Sequence, residues 1–221
     1  MHADLTTSAG MPLVLGLSGG AIVGIVVAVV VLIVFVVFIS MYNTLVRRRQ
    51  TCKESWSDID AELKRRHDLI PNLINTVKGY AQHESGIMEE VAKLRSQAMQ
   101  DEGKSAAERS KAESSLGAGV GKLIARAEAY PDLKASANFI ELQKELSETE
   151  TRIERARRFY NSNTRNFQTS CQVFPSSIVA GVGGFKSSEF EFFKLDDPSE
   201  AAPVDVHFDD AGSGASKSGS A

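Results

Sequence analysis

A phosphate-binding loop is the first chemistry to test in this sequence. Residues 117–123 read GAGVGKL, which has the glycines and the lysine of such a loop. The pattern G-x-x-x-x-G-K-[ST] needs Gly at 116 and Ser or Thr at 123, and both positions are Leu. No strand precedes the segment, and it reads as part of a glycine-weakened helix. Metal chemistry fares no better. His83-Glu84 opens a zincin-like motif, but Ile87 stands where the second histidine belongs. Nor does the chain contain the Glu-x-x-His pairing of di-iron bundles. His67 lies beside basic residues, and His2 and His207 lie near the ends. A Ser-His-Asp arrangement lacks a nucleophile elbow and a strand to mount it. The sequence therefore predicts no catalytic residue, cofactor or small-molecule substrate.

Two charged residues remain, Arg66 and Glu84, and their interest comes from the element that holds them. Over residues 56–98 the positions Trp56, Ile59, Leu63, Arg66, Ile70, Leu73, Val77, Tyr80, Glu84, Ile87, Val91, Leu94 and Ala98 alternate by three and four. That is the a/d seam of a heptad repeat, and only Arg66 and Glu84 carry charge on it. Such residues either form a polar site for a partner or pair with charges on neighbouring helices and fix register. Arg152, Arg157 and Glu145 are the pairing candidates by sequence. One helix over this stretch would be about 65 Å long at 1.5 Å per residue. Pro71 inside it removes a hydrogen bond and predicts a kink or a break.

The helix is tied to an apolar run. Residues 21–39 read AIVGIVVAVVVLIVFVVFI, without a charge or a polar side chain. Nineteen helical residues span about 28 Å, close to the hydrocarbon thickness of a bilayer, and a single segment can cross lipid only as a helix. No Lys or Arg precedes the run and no A-x-A-like site follows it, so a retained single-pass anchor is expected rather than a cleaved signal peptide. Only Asp4 is charged before it, whereas Arg47, Arg48, Arg49 and Lys53 follow. The positive-inside rule then places the N-terminus outside and the rest of the chain in the cytoplasm. Arg47, Arg48 and Arg49 start about 12 Å beyond the run if helical, near enough to feel anionic lipid.

Charge also divides the chain. Residues 40–195 hold 24 basic and 21 acidic side chains, and residues 196–221 hold one and six. The balanced part has no basic stripe of the kind nucleic acid requires. The last part, poor in large apolar residues, reads as a disordered acidic tail. Cys52 and Cys171 offer no metal-ligand spacing and should stay reduced in a cytoplasmic domain. The expected division is a short extracytoplasmic N-terminus (1–20), a transmembrane helix (21–40), one helical domain (41–195) and the tail (196–221).

Within that domain, a second helix is expected over residues 106–129 and a third from about Ser136 to the stop at Pro175. The second has Leu116, Val120, Leu123, Ala127 and Tyr130 at heptad spacing. The third has Phe139, Leu142, Leu146, Thr149, Ile153, Ala156, Tyr160, Asn163, Phe167, Ser170 and Phe174. Residues 176–195 read as a short helix and a return segment that lays Phe185, Phe190, Phe192 and Phe193 over the bundle. The fold class is all-α: an N-terminal transmembrane helix followed by an up-and-down antiparallel bundle of long helices. The second helix is too short to accompany all of the first. Trp56, Ile59, Leu63 and Ile70 are thus expected to form an exposed stripe that pairs with a second copy or another membrane protein.

The blocks YNTLVRRR, WSDIDAELKRRHDLIPNLINTVKGYAQHE, EAYPDLKASANFIELQKELSETETRIERARRFYN and FPSSIVAGVGGF, in this order, resemble the LemA family over residues 42–193. The resemblance implies a bacterial membrane protein with a short outer N-terminus, a cytoplasmic helical bundle and no established enzymatic activity. The acidic tail lies outside it. Three function classes follow. A non-catalytic scaffold or interaction protein at the inner membrane explains the anchor and the seams. A membrane-linked sensor would have only about 20 outer residues with which to bind a ligand. An enzyme would need a convergent polar cluster that the pattern does not show.

Overall fold

The computed structural model describes residues 19–81 and 84–194. Among them are six α-helices, a 3-10 turn and no strand: α1 (Gly19–Lys78), α2 (Ser85–Gln100), α3 (Ala106–Ala127), α4 (Pro131–Lys134), α5 (Ala137–Gln172), α6 (Ser176–Gly183) and the turn Ser187–Glu189. The fold is all-α, a long apolar N-terminal helix that continues into an antiparallel helical bundle. The expected acidic tail, the first 18 residues and His83 lie outside the described residues.

The apolar run and the first part of the heptad seam form one 60-residue helix, without a break at residue 40. The seam over residues 56–98 is not one helix, however. It stops at Lys78 and resumes at Ser85. The stop is local chemistry that a count of heptads overruns: a basic residue in the last turn, then Gly79, which costs about 1 kcal/mol in a helix relative to Ala. Tyr80, an a/d position by count, is 49% exposed at this break.

Pro71 lies inside α1 and does not end it. Proline has no N–H to give to the carbonyl four residues back, which here belongs to His67. That carbonyl accepts a hydrogen bond from Arg95 Nε of α2 at 2.7 Å instead. A buried backbone acceptor is thereby satisfied from a neighbouring helix, and α1 runs through the proline.

The chain forms two compact units rather than one domain around a single core, with α1 and α5 each contributing a segment to both. One unit holds residues 63–151. Its core gathers Ile70, Leu73 and Val77 of α1 with Val91 and Ala98 of α2, Leu116, Leu123 and Ala127 of α3, and Leu133, Phe139 and Leu146 beyond. α2 and α3 form a hairpin over residues 101–105, where Gly103 takes a φ of 87° that favours glycine. A capping box starts α3. The Ser105 hydroxyl accepts from the Glu108 N–H, and the Glu108 carboxylate accepts from the Ser105 N–H.

The other unit pairs residues 19–62 with 152–192. The antiparallel register shows in three contacts: Glu62 with Arg152, the rings of Trp56 and Tyr160 at 5.1 Å, and Arg48 with Ser170. Its core is Leu45, Cys52, Phe167, Val179, Ala180 and Phe185. Phe185 is buried and Phe190 and Phe192 are half-buried, so the aromatic return segment covers the helices as its composition predicts. Phe174 is the exception on the α5 seam, at 76% exposure.

The exposed stripe expected around residues 56–70 is not present. Ile59, Leu63 and Ile70 are each 0% exposed within the single chain, and Trp56 is half-buried against Tyr160. Helix lengths misled here because α5 returns along α1 at Trp56 and Glu62, while α3 also reaches α1 at Arg66 and Ile70.

The three glycines of α3 have different surroundings. A Cβ on Gly119 would lie 2.8 Å from Leu94 Cδ1 and 3.6 Å from Val91 Cγ2, whereas one on Gly121 would meet nothing within 4 Å. Gly119 marks where α2 and α3 approach closely, and Gly121 only weakens the helix. Gly121→Ala should therefore raise stability by about 0.5–1 kcal/mol. Gly119→Leu should lower it by about 1–3 kcal/mol through overpacking. Chemical denaturation of the two variants checks this; a similar shift for both would mean that the approach at Gly119 is not tight.

Candidate functional site

Arg66 sits on the inner face of α1 with Ile70 and Leu73 in its next two turns, and is 2% exposed. A guanidinium there must find carboxylates. It donates through Nη2 to the Glu113 carboxylate and to the Glu113 carbonyl, the latter at 3.1 Å, and through Nη1 to Glu150 Oε2 at 3.1 Å. The second Glu113 oxygen, Oε1, has His67 Nε2 at 3.0 Å. The Glu113 side chain is wholly buried, whereas that of Glu150 is 54% exposed. Three helices, α1, α3 and α5, thus meet at one buried guanidinium, that of Arg66, with the buried Glu113 carboxylate beside it.

Burial pushes the Glu113 carboxyl up. The His67 ring nitrogen at hydrogen-bonding distance and the adjacent Arg66 guanidinium outweigh that, and hold it below the usual carboxylate range. This is the opposite of what acid–base chemistry needs. A general base works best with a pKa near the operating pH, and both Glu113 oxygens are already engaged by Arg66 and His67. The arrangement is suited to locking three helices in register.

Glu84 is placed differently. It precedes α2, half-buried, and reaches Arg126 Nε at 3.5 Å and the Tyr130 hydroxyl at 3.3 Å, both of them near the end of α3. Arg66 and Glu84 therefore pair with Glu113, Glu150 and Arg126, residues other than the candidates named from the sequence. Arg152 is taken by Glu62, at 3.4 Å. Of the other candidate residues, Ile59 and Leu63 are core, Trp56 packs tilted against Tyr160, and Pro71 is accommodated by Arg95. The structure gathers none of these four around the carboxylate.

Glu113 was legible in the sequence but not recognised. The heptad positions named for the second helix begin at Leu116; stepping back by three and four reaches Glu113 and Arg109, both buried. A charged residue on the seam of each of two helices was the signal for a pair. The juxtamembrane arginines expected to meet lipid also have partners within the chain. Arg48 donates to the Ser170 hydroxyl and the Asn166 carbonyl, and Arg49 Nε to Glu189 Oε1 at 2.5 Å. Two of the three arginines are thus drawn into contacts within the chain. Among the described residues, no group of three or more His, Cys, Asp or Glu side chains converges as a metal site.

These helices and the buried carboxylate can be set beside known proteins. Protein LemA of Metamycoplasma hominis is 27% identical to this chain over 168 residues, which cover 72% of the chain and 75% of the relative. The sequence pattern that defines the LemA family matches residues 55–208. The match takes in Trp56, Arg66, Glu84 and Glu113. It starts after the apolar run and reaches 208, so the first part of the acidic tail falls inside it, contrary to the extent read from the sequence blocks. With a match over most of its length, the chain belongs to the LemA family.

Proposed function

We propose that this LemA-family protein is a membrane-anchored, non-catalytic interaction protein of the bacterial inner membrane, with its N-terminus outside and its helical units in the cytoplasm. One observation carries the anchor. Among the described residues the apolar part of α1 is left almost uncovered, with Val23, Val31, Val34 and Phe35 all near 60% exposed, yet it belongs to the same uninterrupted helix as the seam. A run of that length and composition belongs in lipid. The charge step from Asp4 to Arg47, Arg48, Arg49 and Lys53 supports the orientation. The non-catalytic role draws on Glu113, whose oxygens are spent on holding helices together. The interaction role no longer has a bare apolar stalk behind it. Its partners, whether a second copy or another membrane protein, are to be sought by cross-linking in intact membranes, and recovery of none would count against it.

Topology can be read from the thiols. Cys52 is fully buried, and burial pushes its pKa up to about 11. Burial raises Cys171 as well, though its side chain is only half-buried. Because the thiolate is the reactive form, Cys171 should label slowly near neutral pH and faster in mildly alkaline buffer, while Cys52 stays protected until unfolding. A membrane-impermeant maleimide should leave intact cells unlabelled and modify Cys171 after permeabilisation. Labelling of Cys171 in intact cells would reverse the orientation, and release of the protein by alkaline carbonate would remove the anchor.

A further inference from the structure

The helix α6, SSIVAGVG, carries no charge, and its two faces are both apolar. Val179 and Ala180 are buried, at 3% and 2% exposure, in the core with Leu45, Cys52 and Phe167. On the other face Ile178 is 57% and Val182 75% exposed, and just before the helix Val173 and Phe174 are 51% and 76% exposed. Ile178 and Val182 fall on one side of α6, four residues apart, and Phe174 is exposed in the turn that precedes it. A helix that is apolar all round belongs in a core or a membrane, and an exposed group of large apolar residues marks a contact surface.

The place of this surface in its unit says what covers it. Gly183, the last residue of α6, lies against Tyr42: a Cβ on it would come within 3.1 Å of Tyr42 Cε2. Phe185 packs edge-on to the same ring at 5.5 Å. Phe38 and Met41 of α1 rest on the same core. Tyr42 is three residues past the end of the apolar run, about 4.5 Å at 1.5 Å per residue. The headgroup layer on each side of the hydrocarbon is about 5–7 Å deep, so Tyr42 stands within it. The register of α5 on α1, with Arg48 at Ser170, carries the end of α5 and Phe174 toward the same level. The charges nearby fit an anionic surface. Residues 40–53 and 159–188 contain six basic side chains, Arg47, Arg48, Arg49, Lys53, Arg165 and Lys186, and no acidic one; Glu189, just beyond, pairs with Arg49, which leaves the local balance positive.

We propose that α6 and the turn before it are a second membrane contact, an interfacial element that seats Phe174, Ile178 and Val182 in the headgroup–acyl boundary of the bilayer crossed by α1. The contact rests on the anchor reading. It gives the protein a fixed stance: α1 crosses the membrane while α6, held to α1 through Tyr42, lies on its surface, as apolar helix faces do at interfaces. The occupant is bilayer lipid, not a second copy of the chain, because the surface continues the lipid-facing run of α1.

Full-length protein is reconstituted in vesicles of phosphatidylglycerol and phosphatidylcholine in equal amounts, with bromine on the acyl chains at a shallow or a deep position. On a Trp56→Phe background, which removes the single native tryptophan, one reporter is introduced at a time. Phe174→Trp and Val182→Trp read the tip, Phe35→Trp reads the anchor and Ser162→Trp reads water. The two tip reporters should be quenched several-fold more by shallow bromine than the reporter at Ser162, and more by shallow than by deep bromine. Quenching of the tip by acrylamide but not by bromine would place it in water and overturn the contact. Shielding from both quenchers would mean that protein covers it, and would overturn the contact equally. If the Phe35→Trp reporter is quenched by deep bromine while both tip reporters are not, the tip contact fails and the anchor stands. If the anchor reporter is unquenched too, both fall. Position 182 supplies the result should substitution at 174 disturb the turn.

Discussion

Arg66→Ala should lower the stability of the full chain in detergent micelles by about 3–5 kcal/mol, the cost of leaving a buried charge without its partner. Such a loss is a large share of the 5–15 kcal/mol that typical proteins have. The Arg66–Glu150 arm contributes little to it, because Glu150 is more than half exposed and such pairs are worth about 0–1 kcal/mol. The loss comes from Glu113, fully buried. Arg66→Met combined with Glu113→Leu should recover most of it, since replacing a buried pair by apolar residues of similar size is often neutral. A loss under about 1 kcal/mol in Arg66→Ala would show that the cluster behaves like a surface pair and does not lock the helices. The pH dependence has a defined sign. Glu113 is lowered in the folded state from 4.5. Its contribution is therefore full above pH 4.5 and is lost as pH falls through the folded value. The double replacement should flatten this acid limb, which a pH series of denaturation midpoints would show.

Leu63→Glu is expected to be at least as damaging, about 4 kcal/mol or more, in the range reserved for named faults of the core. Leu63 is 0% exposed, as are Ile59 and Ile70 on the same face. A carboxylate there must either be ionised without a partner or be forced neutral by a raised pKa, and both states cost. The removed leucine adds its own lost packing. Lys64→Glu, one position along on the exposed face, should change stability by no more than about 0.5 kcal/mol. Trp56→Glu should fall between the two, losing the ring contact with Tyr160, which is worth about 0.5–1.5 kcal/mol beyond its area. If Leu63→Glu folded normally and instead dissolved an oligomer, this part of α1 would be an exterior surface and its burial within one chain would be refuted.

The sequence by itself determined the properties that depend on neighbours along the chain. The apolar run at residues 21–39, the three-and-four spacing and the stop at Pro175 are local signals, and each marks a helix or its end. The inner faces were legible for the same reason: a side chain's place on a helix follows from its number. Even the missed break at Lys78-Gly79 was a local signal, overrun because the heptad phase continues from Val77 to Ile87 across it.

Tertiary structure decided whatever depends on which helix lies beside which. Carboxylates stand on α2, α3 and α5 alike, and only packing selects Glu113 on α3 over Glu145 on α5 for Arg66. Pro71 announces a missing N–H, but only the arrival of Arg95 from α2 tells that the freed carbonyl is satisfied and the helix continues. The apolar face at Ile59 and Leu63 must be covered by something, and the pattern of one helix is the same whether the cover is α5 or another chain. Likewise α6 reads from sequence as a short apolar helix. Only its docking beside Tyr42 separates the face that completes a core from the face left to meet lipid.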